Sequence, residues 1–139
     1  MEQTKEIVVT KVDYLRLNSL ILNLLEESSH NIHELNYLNM EIKRATKIDS
    51  RKIAPDFVTM DSIIEVTFVE FKKTRELKLV YPHKANFKEG LVSVLSPLGC
   101  ALLGFKAGDI VTYKSPGGIQ SVRIDKVIFQ PEANGEDLQ

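Results

Sequence analysis

Ile63-Ile64-Glu65-Val66-Thr67-Phe68-Val69 has a period of two and is rich in β-branched residues, which is the pattern of a half-buried strand. The same period recurs in Leu77-Lys78-Leu79-Val80-Tyr81 and Leu91-Val92-Ser93-Val94-Leu95. It returns in Asp109-Ile110-Val111-Thr112-Tyr113 and in the long run from Val122 to Phe129. The last two runs flank Ser115-Pro116-Gly117-Gly118, a hairpin turn by composition, so they are expected to pair antiparallel. Between the strands, Ser96-Pro97-Leu98-Gly99-Cys100-Ala101-Leu102-Leu103 starts with an N-cap residue and a proline suited to the first helical position. It predicts one short helix packed on the sheet.

Upstream of Asp56 the period is helical. Val12, Leu15, Ile21, Leu22 and Leu25 recur on one predicted helix, and Ile32, Leu35, Leu38, Ile42 and Ala45 on another. Thr10 is placed to cap the first, with Asp13 three residues on, and Asn31 with Glu34 to cap the second. The break at Glu26-Glu27-Ser28-Ser29-His30 is short, which favours an antiparallel helical hairpin or coiled coil with arms of ~15–17 residues, roughly 25 Å long. Helices followed by a run of strands make the fold class α+β. The expected organisation is a hairpin over 1–52, a sheet domain over 53–132 and a frayed tail over 133–139. Leu17, Leu20, Leu24 and Tyr37 exceed what a two-helix seam buries, so part of the hairpin is expected to rest on the sheet domain or on a second copy, as a homodimer.

The 139 residues suit one domain with an appendage, and 43% apolar with 27% charged residues is an ordinary globular composition. Lys and Arg number 18 against 19 Asp and Glu, so the net charge of -1 offers no global attraction to nucleic acid or anionic lipid. One cysteine, Cys100, excludes an intrachain disulfide and a cysteine-rich zinc site. No apolar run reaches the ~20 residues of a spanning helix, and the opening residues do not form a signal peptide. The expectation is a cytoplasmic protein without membrane contact.

Charge is unevenly placed along the helical half. No Lys or Arg lies between Arg16 and Lys43, while Glu26, Glu27, Glu34 and Glu41 fall in that gap. Lys43, Arg44, Lys47, Arg51 and Lys52 follow at the other end. The expected arm therefore has an acidic tip, Glu26, Glu27 and Glu34, and a basic base. Glu26 and Glu27 at a helix C-terminus oppose the macrodipole by ~0.3–1 kcal/mol each, so helix stability alone does not favour them. His30 and His33 lack the further ligands of a metal site. Lys72, Lys73, Arg75, Lys78, His83, Lys84 and Lys88 form a basic strip without the interleaved aromatics of a nucleic-acid platform. No Gly-x-Ser-x-Gly elbow, phosphate loop or Cys–His pair is present. A binding or regulatory module follows, with no catalytic residues, no metal and no cofactor.

Residues 93–109, Ser93-Val94-Leu95-Ser96-Pro97-Leu98-Gly99-Cys100-Ala101-Leu102-Leu103-Gly104-Phe105-Lys106-Ala107-Gly108-Asp109, resemble the C-terminal signature of the bacterial Gre transcription elongation factors. Tyr113-Lys114-Ser115-Pro116-Gly117-Gly118 and Val127-Ile128-Phe129-Gln130-Pro131-Glu132 continue the resemblance in register. Pro55 to Ser62, Leu79-Val80-Tyr81-Pro82 and Gln130-Pro131-Glu132-Ala133 are most similar to the Rnk branch, the regulators of nucleoside diphosphate kinase. The resemblance implies an FKBP-like sheet domain that docks on core RNA polymerase near its secondary channel while the hairpin points inward. It assigns docking to Ser96, Pro97, Leu98 and Gly99, so that Leu98→Asp is expected to abolish binding while the fold persists.

In the cleavage-competent members, a tip Asp and Glu help to hold a catalytic Mg²⁺. No Asp lies between Asp13 and Asp49 here, and Glu26, Glu27 and Glu34 do not reproduce that motif. The expectation is a short-armed occluder that competes with other secondary-channel factors and meets DNA or RNA only indirectly. The alternatives are a cleavage factor using the tip carboxylates and, from another class, an FKBP-type peptidyl-prolyl isomerase.

Overall fold

The computed structural model describes residues 6–27 and 32–135. The chain runs β1 (Val8–Thr10), α1 (Lys11–Glu26), α2 (Ile32–Arg44), β2 (Thr46–Ile48), β3 (Ile63–Phe68), β4 (Lys73–Val80), β5 (Leu91–Ser93), α3 (Pro97–Leu102), β6 (Ile110–Ser115) and β7 (Gly118–Phe129). Single 3₁₀ turns follow at Pro82–Lys84, Phe87–Glu89 and Glu132–Asn134. The class is mixed α+β. None of the described helices is long and apolar enough to cross a membrane.

The main sheet has the order β5-β4-β3-β7-β6. β3 pairs antiparallel with β4 and β7, and β6 with β7, where Ser115 faces Gly118 across the Pro116-Gly117 turn. Two register shifts on the β3–β7 ladder, at Ile63/Ile64 and Glu65/Val66, bend the sheet and add twist. The expectation of a wholly antiparallel sheet is corrected at one edge, because β5 runs parallel to β4. Instead of a hairpin, the connecting chain makes two 3₁₀ turns and closes a bridge between Asn86 and Leu91. It thus re-enters the sheet with Leu91 beside Lys78 and runs alongside the last three residues of β4. Gly90, at φ 79°, makes the final turn in the left-handed region.

The helical half also differs from its sequence reading. Thr10 does cap α1, its Oγ1 accepting from the Asp13 amide at 3.0 Å. The region does not stay helical to residue 50, however. α2 stops at Arg44, and Thr46–Ile48 pairs in parallel with Val8–Thr10, tying the start of α1 to the end of α2. Asn31 and His30 lie outside the described residues.

The apolar stripe of α1 is rotated from the expected one. Leu17 and Ile21 are buried, with Tyr14, Leu20 and Leu24 packed beside them, whereas Leu15, Leu22 and Leu25 are exposed. The physical reason is that α1 is apolar on two flanks, and periodicity alone does not say which flank meets the core. On α2, Leu35, Leu38 and Ile42 are buried as their spacing requires. One hydrophobic cluster joins these helix residues and Ile7 and Val9 to Val58, Ile64, Val66, Leu102, Leu103 and Ile124 of the sheet half.

Candidate functional site

The Ser96-Pro97-Leu98-Gly99 segment sits where β5 turns into α3. Ser96 Oγ accepts from the Gly99 amide at 3.1 Å and donates to Ser93 O at 2.7 Å, a complete N-cap. A Cβ on Gly99 would lie 1.9 Å from the Ser93 carbonyl oxygen, so the backbones can approach only with glycine there. Leu98 is 6% exposed and belongs to the core. The expectation that Leu98→Asp spares the fold is therefore corrected: it would place a carboxylate among apolar side chains. Of the four residues, Pro97 is exposed, Ser96 is half-buried, and Leu98 and Gly99 are buried.

Two concavities meet at Pro97. One, of about 280 Å³, lies between α2 and the α3–β6 layer, with Glu34, Tyr37, Tyr113 and Lys114 in its wall. The other, of about 360 Å³, extends from Pro97 past Tyr113 and Lys114 to Phe87 and Pro116. Together they make a groove with an apolar floor and a lysine at its lip. Phe87 is 53% exposed and is held from below by Arg75, whose guanidinium stacks 4.5 Å from the ring centroid. Arg75 Nη2 also donates to the carbonyl of Phe87 and to that of Lys88 at 3.1 Å. This arginine of the basic strip is thus spent on positioning an aromatic ring.

Sequence reading missed Phe87, Tyr113, Lys114 and Pro116 as surface residues. The signal was Tyr113-Lys114-Ser115-Pro116, quoted above as turn chemistry and as part of the family resemblance, whose place beside Pro97 depends on α3 packing across β6.

The acids of the helical half separate into three environments. Glu26 and Glu27 are exposed at the end of α1, where the Glu27 amide closes the helix by donating to Leu24 O at 3.1 Å. Glu34 is half-buried and faces the concavity beside Tyr113 and Lys114. Glu41 is buried and takes a bidentate contact from Arg44, at 2.7 Å and 3.0 Å. Cys100, beneath this wall, is buried, and its thiol is pushed up to about 12 by burial first and by Glu41 and Glu34 second. It is an unreactive core side chain at neutral pH. Among the described residues, no group of three His, Cys, Asp or Glu side chains is placed to hold a metal ion.

The family model for the GreA/GreB transcription elongation factor C-terminal region matches residues 53–129. The chain belongs to the GreA/GreB family. Its function is accordingly of the transcription elongation factor type. It is 34% identical over 102 residues to the regulator of nucleoside diphosphate kinase of Escherichia coli K12, covering 73% of this chain and 75% of that protein. It is 35% identical to the transcription elongation factor GreA of Rhodopseudomonas palustris TIE-1, covering 73% of this chain and 65% of the relative. The solved GreA/GreB factor from Nitrosomonas europaea superposes with a TM-score of 0.72 at 31% identity, covering 89% of this chain and all of the other.

In this GreA/GreB-family chain, the segments most similar to the Rnk branch form a buried polar clasp. Thr59 Oγ1 donates to Glu132 Oε1 at 2.8 Å, and Gln130 Nε2 donates to the carbonyls of Ala54 and Phe57 at 2.9 Å each. The Met60 amide donates to Oδ2 of Asp13, a fully buried carboxylate of α1, at 3.0 Å. Tyr81, nearby, has its hydroxyl raised by burial first and by the Asp13 charge second. The Val8 amide donates to Gly104 O at 3.1 Å, and a Cβ on Gly104 would meet Ile7 Cβ at 2.7 Å. These contacts set the helical half against the sheet half at a defined angle.

Proposed function

We propose that this family member is a short-armed regulator that docks on core RNA polymerase. The docking face is the rim of Pro97, Phe87, Tyr113, Lys114 and Pro116, flanked by Ser96 with Leu98 and Gly99 beneath. In this reading residues 53–132 form an FKBP-like docking domain. Residues 1–52 form an antiparallel hairpin directed into the secondary channel, with 133–139 as a tail. The tie between β1 and β2, which brings the start of α1 to the end of α2, supports the hairpin.

The observation that carries the proposal is the open groove at Pro97, beside an arm whose far end has Glu26 and Glu27 and no Lys or Arg between Arg16 and Lys43. An arm of this charge suits a cationic channel wall, and apolar rings around a lysine suit a protein rim.

The arm occludes without transcript cleavage. α1 has 16 residues and α2 13, so the arms reach only roughly 20–24 Å. Glu34 is turned toward Tyr113 and Lys114, and no Asp lies between Asp13 and Asp49. Competition with other secondary-channel factors follows from sharing the rim, and the protein acts as a binding factor in the cytoplasm with no catalytic group of its own.

The test is retention of purified core polymerase on the immobilised protein, with and without a competing Gre factor, followed by RNA analysis of backtracked complexes. Binding that the competitor displaces, with no RNA shortening, is expected. Pro97→Glu with Lys114→Glu should reduce retention at least about tenfold, equivalent to ~1.4 kcal/mol, while leaving the melting curve unchanged. RNA shortening would assign Glu26 and Glu27 to cleavage, and unaltered retention of the double variant would remove the docking face.

A further inference from the structure

The exposed flank of α1 is not used by the docking rim, and it points to a second copy of this chain. Leu15, Leu22 and Leu25 are 65%, 56% and 43% exposed, on a stripe that adjoins the buried Leu17 and Ile21 face at Leu25. At about 100° per residue, Lys11, Leu15, Asn18, Leu22 and Leu25 fall on one stripe with alternating spacings of four and three, the seam of a paired helix. The core covers the Leu17 and Ile21 face of α1 and leaves this second apolar stripe to solvent.

We infer that two copies of this chain associate through α1 packed antiparallel on α1 about a twofold axis. Charge complementarity selects this occupant and fixes the register. With the axis between Asn18 and Ser19, Leu15 faces Leu22 of the second copy and Val12 faces Leu25. Lys11, at one end of the helix, then meets Glu26, at the other. Both ends of the helix are used, so the complementary pair occurs twice. An isologous contact requires such self-complementarity, since each residue must suit its mirror position. A parallel pairing would set Lys11 against Lys11 and Glu26 against Glu26. One pair of 16-residue helices lies at the small end of specific interfaces, so association in the micromolar range is expected. Pairing uses the arm that the proposed function directs into the channel, so the dimer and the polymerase-bound form exclude one another, and the dimer is read on the protein alone.

The test is sedimentation equilibrium of the full chain between ~1 and ~500 μM, a range set around that expected affinity, with circular dichroism melts as the folding control. A monomer–dimer equilibrium is expected, and Leu22→Glu, at an exposed position, should weaken it at least about tenfold without lowering the melting temperature of the dilute monomer. Lys11→Glu and Glu26→Lys should each weaken it severalfold, because each places like charges together twice. The double exchange Lys11→Glu with Glu26→Lys should restore association to near the parent value. A monomer at every concentration overturns the inference. So does a dimer indifferent to Leu22→Glu, or a double exchange as weak as the single ones.

Discussion

Gly99 and Pro97 lie two positions apart and have different roles. Gly99 allows α3 to touch the Ser93 carbonyl, and Pro97 stands in the open beside it. Gly99→Ala is expected to cost more than about 3 kcal/mol, because the added carbon meets backbone that has no room to yield. Chemical denaturation should show this as a lowered midpoint, with Pro97→Ala close to the parent as the contrast. Asp13 has a comparable structural task. Its side chain accepts the Met60 amide 47 residues on. Asp13→Ala leaves that buried donor unpaired and should cost ~1–3 kcal/mol, whereas Asp13→Asn retains an acceptor oxygen and should recover most of the loss in the same denaturation series. The Thr10–Asp13 spacing is legible in the sequence as a cap. The partner of the carboxylate is not, since no local signal connects residue 13 with residue 60.

Among the elements, α1 ends on two exposed acids while α2 ends on Lys43 and Arg44. α2 thus follows the macrodipole and α1 opposes it. Glu26→Lys with Glu27→Lys is expected to raise the melting temperature slightly, by the equivalent of ~0.3–1 kcal/mol per residue at most. Under the polymerase reading it should also weaken competition with Gre factors while leaving retention on the rim largely intact. Competition binding beside thermal melts separates the two effects, and a loss of both stability and competition would count against the reading. The elements themselves were largely readable from periodicity. What it left open was phase and partner: which flank of α1 is buried, and that β5 joins β4 in parallel. Leu15 and Leu17 are equally apolar, and only the position of the sheet half distinguishes them.

At the scale of the whole molecule, the core crosses the expected boundary at residues 52 and 53. Ile7, Val9, Leu17 and Ile21 share a cluster with Leu102, Leu103 and Phe105, and the Val8–Gly104 and Met60–Asp13 hydrogen bonds cross with them. A fragment beginning at residue 53 would expose that apolar wall to water. It is expected to melt without cooperativity and to bind a hydrophobic dye, as followed by calorimetry and fluorescence; a sharp, reversible transition near that of the full chain would establish 53–132 as an independent unit.

Composition, two hydrophobic periods and the residues from Ser93 to Asp109 were enough to read the α+β class, the order of the three helices and the five strands of the main sheet, and the GreA/GreB resemblance. These are local properties, carried by side-chain spacing, cap chemistry and turn residues. Tertiary packing decided that Leu98 is core and Pro97 surface, that Glu34 faces Tyr113 and Lys114 rather than joining Glu26 and Glu27, and that Arg75 serves Phe87. Each of these depends on which distant segments exclude water from a side chain, and burial is a property of the assembled neighbours, not of the residue.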